Sequence, residues 1–92
     1  MAKKYLFKLY LSGRTSTSEW QVKNLKKVLE DKIKDQYSLN IIYLTEAPEL
    51  IERENVITTP MLIKELPPPP KRVIGEISYK EKLLTILDLS GQ

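Results

Sequence analysis

The 92-residue sequence contains no cysteine and no histidine. Without cysteine, there are no thiol nucleophiles, disulfides, redox pairs or zinc–thiolate sites. Without histidine, the chain lacks the only side chain whose unperturbed pKa lies near neutrality. Carboxylates, lysines and tyrosines remain as acid–base groups, but catalysis by them would need large pKa shifts from burial. The sequence therefore favours a binding protein over an enzyme, with no cofactor and no metal ion.

Long apolar runs and a strong excess of one charge are also lacking. No apolar run approaches the ~20 residues that cross a bilayer. The basic N-terminus is not followed by the apolar core and cleavage site of a signal peptide, so a cytoplasmic location is expected. The net charge of +3, from 15 basic and 12 acidic residues, is too small to indicate nucleic-acid binding. The length predicts one domain over residues 1–92.

Apolar periodicity predicts an α/β fold with the order β-α-β-α-β-β-α. The strands are predicted at 5–11, 37–44, 61–63 and 71–75. The first helix carries apolar residues from Val22 to Ile33 and starts at one of two capping pairs, Ser16 with Glu19 or Ser18 with Gln21. A short helix is predicted within 45–55, and a final helix starts at Ser78 and is stopped by Gly91.

This element order is the thioredoxin-like order, with an opening strand–helix–strand unit, a linking helix, a hairpin and a closing helix. Pro60 stands directly before the third strand, where thioredoxin-like proteins usually have a cis proline. We therefore expect a cis Thr59–Pro60 bond, although only ~5–6% of X–Pro bonds are cis. Pro67, Pro68, Pro69 and Pro70 exclude helix and central strand and favour an extended connector between the last two strands.

Four segments together resemble the KaiB family. They are 8–13 (KLYLSG), 58–62 (TTPML), 66–75 (LPPPPKRVIG) and 87–89 (LDL). The spacing is similar from Lys4 to Leu89, and the proline run followed by a basic pair and glycine is the most specific of the motifs. The sequence is identified as a member of this family of bacterial circadian clock proteins.

The resemblance implies a non-enzymatic adaptor that binds the ring-shaped ATPase KaiC and promotes its dephosphorylation. It also implies KaiA or a histidine kinase as further partners, in a circadian or clock-derived signalling or stress system. Some members form dimers or tetramers in a second, ground-state fold in which the C-terminal half changes its secondary structure. The switch region would include Pro67–Pro70, Ile86 and Asp88. Clock members often have glycine where Ile86 stands, and isoleucine favours a continuous final helix.

Lys64, Lys71 and Arg72 flank the proline run and match family positions, which predicts a basic partner-binding patch. Each of them alone is more typical of a solvated strand end. Trp20 stands where a basic residue is expected in clock members, and we expect it in the core or an interface. The lysines of the first helix indicate a solvated face.

Two other functions stay open from the residues alone. One is a thioredoxin-scaffold sensor or small-ligand-binding domain without redox activity, because fold does not fix function. Its binding site would be the loop 13–17, where thioredoxins carry their cysteines, although a plain loop and helix cap explains this segment better. The other is a nucleic-acid-binding module, which would need exposed aromatic side chains beside the helix lysines.

Overall fold

The computed structural model describes residues 4–75, 77, 83 and 84. Its strands are β1 (Tyr5–Leu11), β2 (Tyr37–Tyr43), β3 (Met61–Leu66) and β4 (Lys71–Ile74), and its helices are α1 (Ser16–Ile33) and α2 (Leu50–Arg53). A 3₁₀ turn, Lys34–Gln36, links α1 to β2. Of the predicted final helix, only Leu83 and Leu84 are described, and both are helical and buried.

The described strands form one sheet in the order β2-β1-β3-β4. β1 and β2 run parallel and in register from Tyr5–Tyr37 to Leu11–Tyr43, because α1 carries the chain back across the sheet. β3 runs antiparallel to β1, and β4 runs antiparallel to β3. This is the thioredoxin-like arrangement expected from the order of elements.

The two faces of the sheet pack against different elements of the chain. On the helix face, alternate β1 residues such as Phe7 and Leu9 pack against Leu25 and Leu29 of α1, and Leu83 joins the same cluster. The opposite face carries a smaller cluster under the segment that contains α2. Its buried members are Tyr10, Leu44, Val56, Met61 and Ile63. No helix among the described residues is long and apolar enough to span a membrane.

The N-cap of helix α1 lies one residue before the earlier of the two predicted capping pairs. Thr15 is its N-cap, and its hydroxyl accepts a hydrogen bond from the Ser18 backbone N–H at 3.0 Å. In return, the Ser18 hydroxyl accepts from the Thr15 N–H at 2.8 Å. Serine thus replaces the usual glutamate or glutamine of a capping box, and the predicted N-caps Ser16 and Ser18 are wrong, although Ser16 is the first residue of α1.

Helix α2 is much shorter than the predicted segment 45–55. Turns precede it, in which the Glu46 N–H donates to the Tyr43 carbonyl and the Ala47 N–H donates to the Leu44 carbonyl. After it, Asn55 has a φ of 54°, a left-handed conformation that asparagine tolerates better than most residues. The single turn of helix is enough to place Leu50 against the opposite-face cluster.

Candidate functional site

The three basic residues predicted to form one patch lie on two different faces of the sheet. Lys64 pairs across the sheet with Phe7 and Lys71, and Phe7 belongs to the helix-face cluster. Arg72 pairs with Ile63, which belongs to the opposite-face cluster. Paired residues point to the same side of a sheet and successive residues to alternate sides. Lys64 and Lys71 therefore share the helix face, and Arg72 does not join them.

Lys64 is buried, with only 3% of its surface exposed. It lies in β3, a central strand between β1 and β4, next to Leu62 of the helix-face cluster. A side chain so covered cannot contact a partner while this fold persists. The expectation that Lys64 belongs to an exposed basic patch is therefore corrected.

Arg72 is exposed, and its guanidinium group contacts the segment that ends α2. Nη2 donates to the Glu54 carbonyl at 3.3 Å, and Nη1 lies 3.5 Å from the Asn55 carbonyl and 3.6 Å from Met61 Sδ. Beneath this contact, the Tyr10 hydroxyl donates to Glu54 Oε1 at 3.3 Å. Burial and the nearby Glu54 carboxylate raise the pKa of Tyr10. Arg72 thus fastens the α2 segment to the sheet and also presents positive charge to solvent.

Exposed apolar side chains near Arg72 were missed by the sequence reasoning. Ile74 follows two residues later on the same strand and face, and 46% of its surface is exposed. Ile57, two residues after Asn55, is 77% exposed. We call Arg72, Ile74 and Ile57 the β4 surface. The period-2 alternation along Lys71–Ile74 could have predicted that Ile74 and Arg72 lie on one face of the sheet. It could not have predicted that this face is exposed to solvent at the two residues.

Pro60 lies where the sequence placed it, directly before β3, and the Thr59–Pro60 bond is cis as expected. Its carbonyl accepts a hydrogen bond from the Gly75 N–H at 3.0 Å. Gly75 has a φ of 92°, which glycine adopts without the steric cost of a side chain. This bond joins the start of β3 to the end of β4.

The proline run connects β3 to β4. This is the predicted connector of a hairpin: the chain reverses direction between the paired residues Lys64 and Lys71. The expected extended polyproline conformation is not found, because residues 67–69 form bends. The Leu66–Pro67 and Pro68–Pro69 bonds are also cis. Ile86 and Asp88, the other predicted switch residues, lie outside the described residues.

The loop 13–17, a candidate ligand site from sequence, is held by contacts within the chain. The Arg14 guanidinium pairs with both oxygens of Glu46 and lies over the Tyr43 ring, 4.2 Å from its centroid. The hydrogen bond from Arg14 lowers the pKa of Glu46 below its ordinary value. Thr15 caps the helix that follows. The arrangement ties the loop after β1 to the loop after β2.

Comparison with known proteins identifies the family. The KaiB domain model matches residues 8–89. The chain belongs to the KaiB family. It is 44% identical to the circadian clock oscillator protein KaiB of Rippkaea orientalis over 87 residues, covering 95% of this chain and 84% of that one. It is 42% identical to the protein of the same name from Thermostichus vulcanus, covering 97% of this chain and 82% of that one.

Solved structures confirm the thioredoxin-like fold of this KaiB family member. The N-terminal domain of SasA from Synechococcus elongatus superposes with a TM-score of 0.75 at 23% identity, covering 100% of this chain and 90% of that one. Chloroplastic thioredoxin z superposes with a TM-score of 0.73 at 13% identity, covering 98% of this chain and 81% of that one. At these identities the likeness concerns the fold alone.

Proposed function

We propose that this chain is a non-enzymatic adaptor that docks on a KaiC-type ATPase and modulates its phosphorylation state. The observation that carries the proposal is the match to the KaiB domain over residues 8–89, with relatives that are circadian clock oscillator proteins. The setting would be a circadian clock or a signalling or stress system derived from one. KaiA or a histidine kinase would be further partners.

The absence of cysteine and histidine from the sequence supports the non-enzymatic part of the proposal. The one polar side chain of the β4 surface stabilises the fold, since Arg72 contacts the Glu54 and Asn55 carbonyls. Such an arrangement offers shape and charge to a partner.

The β4 surface supports docking because it combines a cation with exposed apolar area. Arginine is enriched at interfaces, and exposed Arg72 offers its positive charge to acidic groups of a partner. Ile74 beside it supplies apolar area that a partner would remove from water. Lys71 emerges on the other face of the same strand and would meet a partner that wraps around this outer strand.

The experiment is a binding measurement between the purified chain and a KaiC-type ATPase from the same genome. We expect a complex on size exclusion and a changed phosphorylation level of the ATPase when the chain is added. Reversing both charges, Lys71→Glu with Arg72→Glu, should weaken the complex. The control, Lys32→Glu with Lys34→Glu, makes the same total change of charge at the end of α1. Absence of a complex with the unaltered chain, or turnover of a substrate by the chain alone, would contradict the proposal.

The purified chain can also be used to test for the second fold and to measure the oligomeric state. The described structure is the thioredoxin-like state, whose monomer is the proposed ATPase-binding form. Size exclusion of the chain alone, combined with circular dichroism, separates this monomer from a dimeric or tetrameric state with different secondary structure. We propose that Pro67–Pro70, Ile86 and Asp88 belong to the segment that would change.

A sensor or small-ligand function is the second candidate, and one groove favours it. The groove has a volume of about 540 Å³ and includes Ile51, Val56, Ile57 and Thr59. Ligand pockets commonly have volumes of about 300–1,000 Å³ and mostly apolar walls. A rise in melting temperature with a small apolar ligand, lost in Ile51→Glu, would favour this function over docking.

A further inference from the structure

Trp20, the single tryptophan of the chain, is 54% exposed on α1. It was expected in the core or an interface, and the structure removes it from the core. Trp20 and Leu29 are nine residues apart, about two and a half helical turns, so they lie on opposite sides of α1. Leu29 is fully buried against the sheet, and the indole therefore faces away from it.

The indole stands between two shallow grooves. One is bordered by Lys23, Lys26 and Tyr43 of the neighbouring strand β2, and the other by Lys23, Asn24 and Lys27. Val22 also lines the first groove, which has a volume of about 510 Å³. We call Trp20, Lys23, Lys26 and Lys27 the Trp20 surface.

The charge of the Trp20 surface is predominantly positive. Lys23, Lys26 and Lys27 are exposed and form no ion pair with any other described residue. Glu19 is the acidic side chain at the border of the first groove. Glu30, one turn further along α1, instead forms a hydrogen bond with Tyr37. Asp31 lies four residues after Lys27 on the same side of α1, so a carboxylate borders the surface at each end. Three cations thus surround one exposed aromatic ring, and they outnumber the carboxylates Glu19 and Asp31 at its borders.

We propose that the Trp20 surface binds an acidic protein segment that inserts one apolar side chain beside the indole. Tryptophan is among the residues that most often dominate binding energy at interfaces, because it offers a large rigid ring with one polar group. The surrounding lysines complement carboxylates on the segment and exclude cationic partners. The inference goes beyond the proposed ATPase docking, since it concerns a surface on the other edge of the sheet from β4.

A protein segment fits this surface better than nucleic acid. Single-stranded nucleic acid binds through successive aromatic side chains that stack on successive bases, along a continuous basic groove. Here one aromatic ring is exposed on α1, and Glu19 interrupts the basic rim. The chain as a whole carries a net charge of only +3.

The test is selection of peptides by the intact chain. A phage-displayed library of random dodecapeptides is selected on the unaltered protein, and enriched peptides are synthesised with a fluorescent label. We expect enriched peptides to carry several carboxylates around an apolar residue and to bind less tightly as salt rises. Fluorescence anisotropy should show at least about tenfold weaker binding to Trp20→Ala and to Lys23→Glu.

Lys34→Glu is the matched control, because it makes the same change of charge beyond the end of α1 and should bind as the unaltered chain does. Trp20 and Lys23 are both exposed, and unchanged circular dichroism would show that the variants fold. Enriched peptides without acidic bias, binding insensitive to both substitutions, or no enrichment would overturn the proposal. So would a single-stranded oligonucleotide that binds more tightly than the peptides at physiological salt.

Discussion

Substitutions of Arg72 separate its contribution to the fold from its contribution to docking. Its guanidinium donates to two backbone carbonyls, at 3.3 Å to Glu54 and 3.5 Å to Asn55. Each such hydrogen bond contributes about 0.5–1.5 kcal/mol, and exposed contacts of this length belong at the low end. Together they contribute about 1 kcal/mol to the free energy of unfolding, or about 4–8 °C in melting temperature for a chain of this size.

The two variants are Arg72→Lys and Arg72→Glu. Lysine keeps the positive charge but lacks the planar group that reaches both carbonyls, so we expect lower stability with nearly normal binding to the ATPase. Glutamate removes the contacts and reverses the charge, so we expect the same or greater loss of stability and about tenfold weaker binding, equivalent to about 1.4 kcal/mol. Thermal unfolding gives the first quantity and calorimetric titration with the ATPase gives the second.

Arg53→Glu is the control for charge alone, because Arg53 is an exposed arginine of α2. Its reversal should leave both the melting temperature and the affinity near those of the unaltered chain. If Arg72→Lys and Arg72→Glu weaken binding equally, Arg72 acts on the partner only through the fold. If Arg72→Glu binds normally, Arg72 lies outside the docking site.

Two further predictions concern stability. Burial and a hydrogen bond with Glu30 raise the pKa of Tyr37 to about 12, whereas an unfolded tyrosine ionises near pH ~10. The neutral form is therefore favoured in the fold. Its contribution to the free energy of unfolding is complete below pH ~10 and is lost as the pH rises toward ~12. Urea unfolding at pH ~8 and ~11 should show that the unaltered chain loses about 0.7 kcal/mol relative to Tyr37→Phe, which is half the full linkage value because Tyr37 is partly exposed. An unchanged difference between the two chains would contradict this. Thr15→Ala removes the acceptor of the Ser18 N–H and should cost about 1 kcal/mol in the same assay, whereas Thr15→Ser should cost little, and equal losses would show that the hydroxyl is not the cause.

The order of elements along the chain and the buried face of α1 were readable from the sequence because each depends on a local period. β1 has the same bounds as its prediction, and the apolar residues of α1 from Leu25 to Ile33 lie on the buried face as expected. The position of Trp20 could have been found by the same spacing, since nine residues from Leu29 correspond to the opposite side of a helix. The aromatic character of Trp20 favoured burial, but its position on α1 leaves it 54% exposed.

The burial of Lys64 could not be read from the sequence, because it depends on contacts between distant segments. The predicted third strand ended at Ile63, but β3 pairs with β4 as far as Lys64 and continues to Leu66, which pairs with Leu6 of β1. A register shift near Leu6 and Phe7 then sets which residues face each other. A one-residue change of register would move a side chain to the other face, and no local pattern specifies it.

The two proposed surfaces are far enough apart to act independently. The Trp20 surface adjoins β2 and the β4 surface adjoins β4, and β1 and β3 lie between them. With strands about 4.8 Å apart, the outer strands are about 14 Å apart, and the surfaces also lie on different sides of the sheet. Substitutions at such separations normally add within about 0.5 kcal/mol. Combining Trp20→Ala with Arg72→Glu should therefore leave peptide binding no weaker than Trp20→Ala alone, and any further loss would mean that one shared footprint extends across both edges.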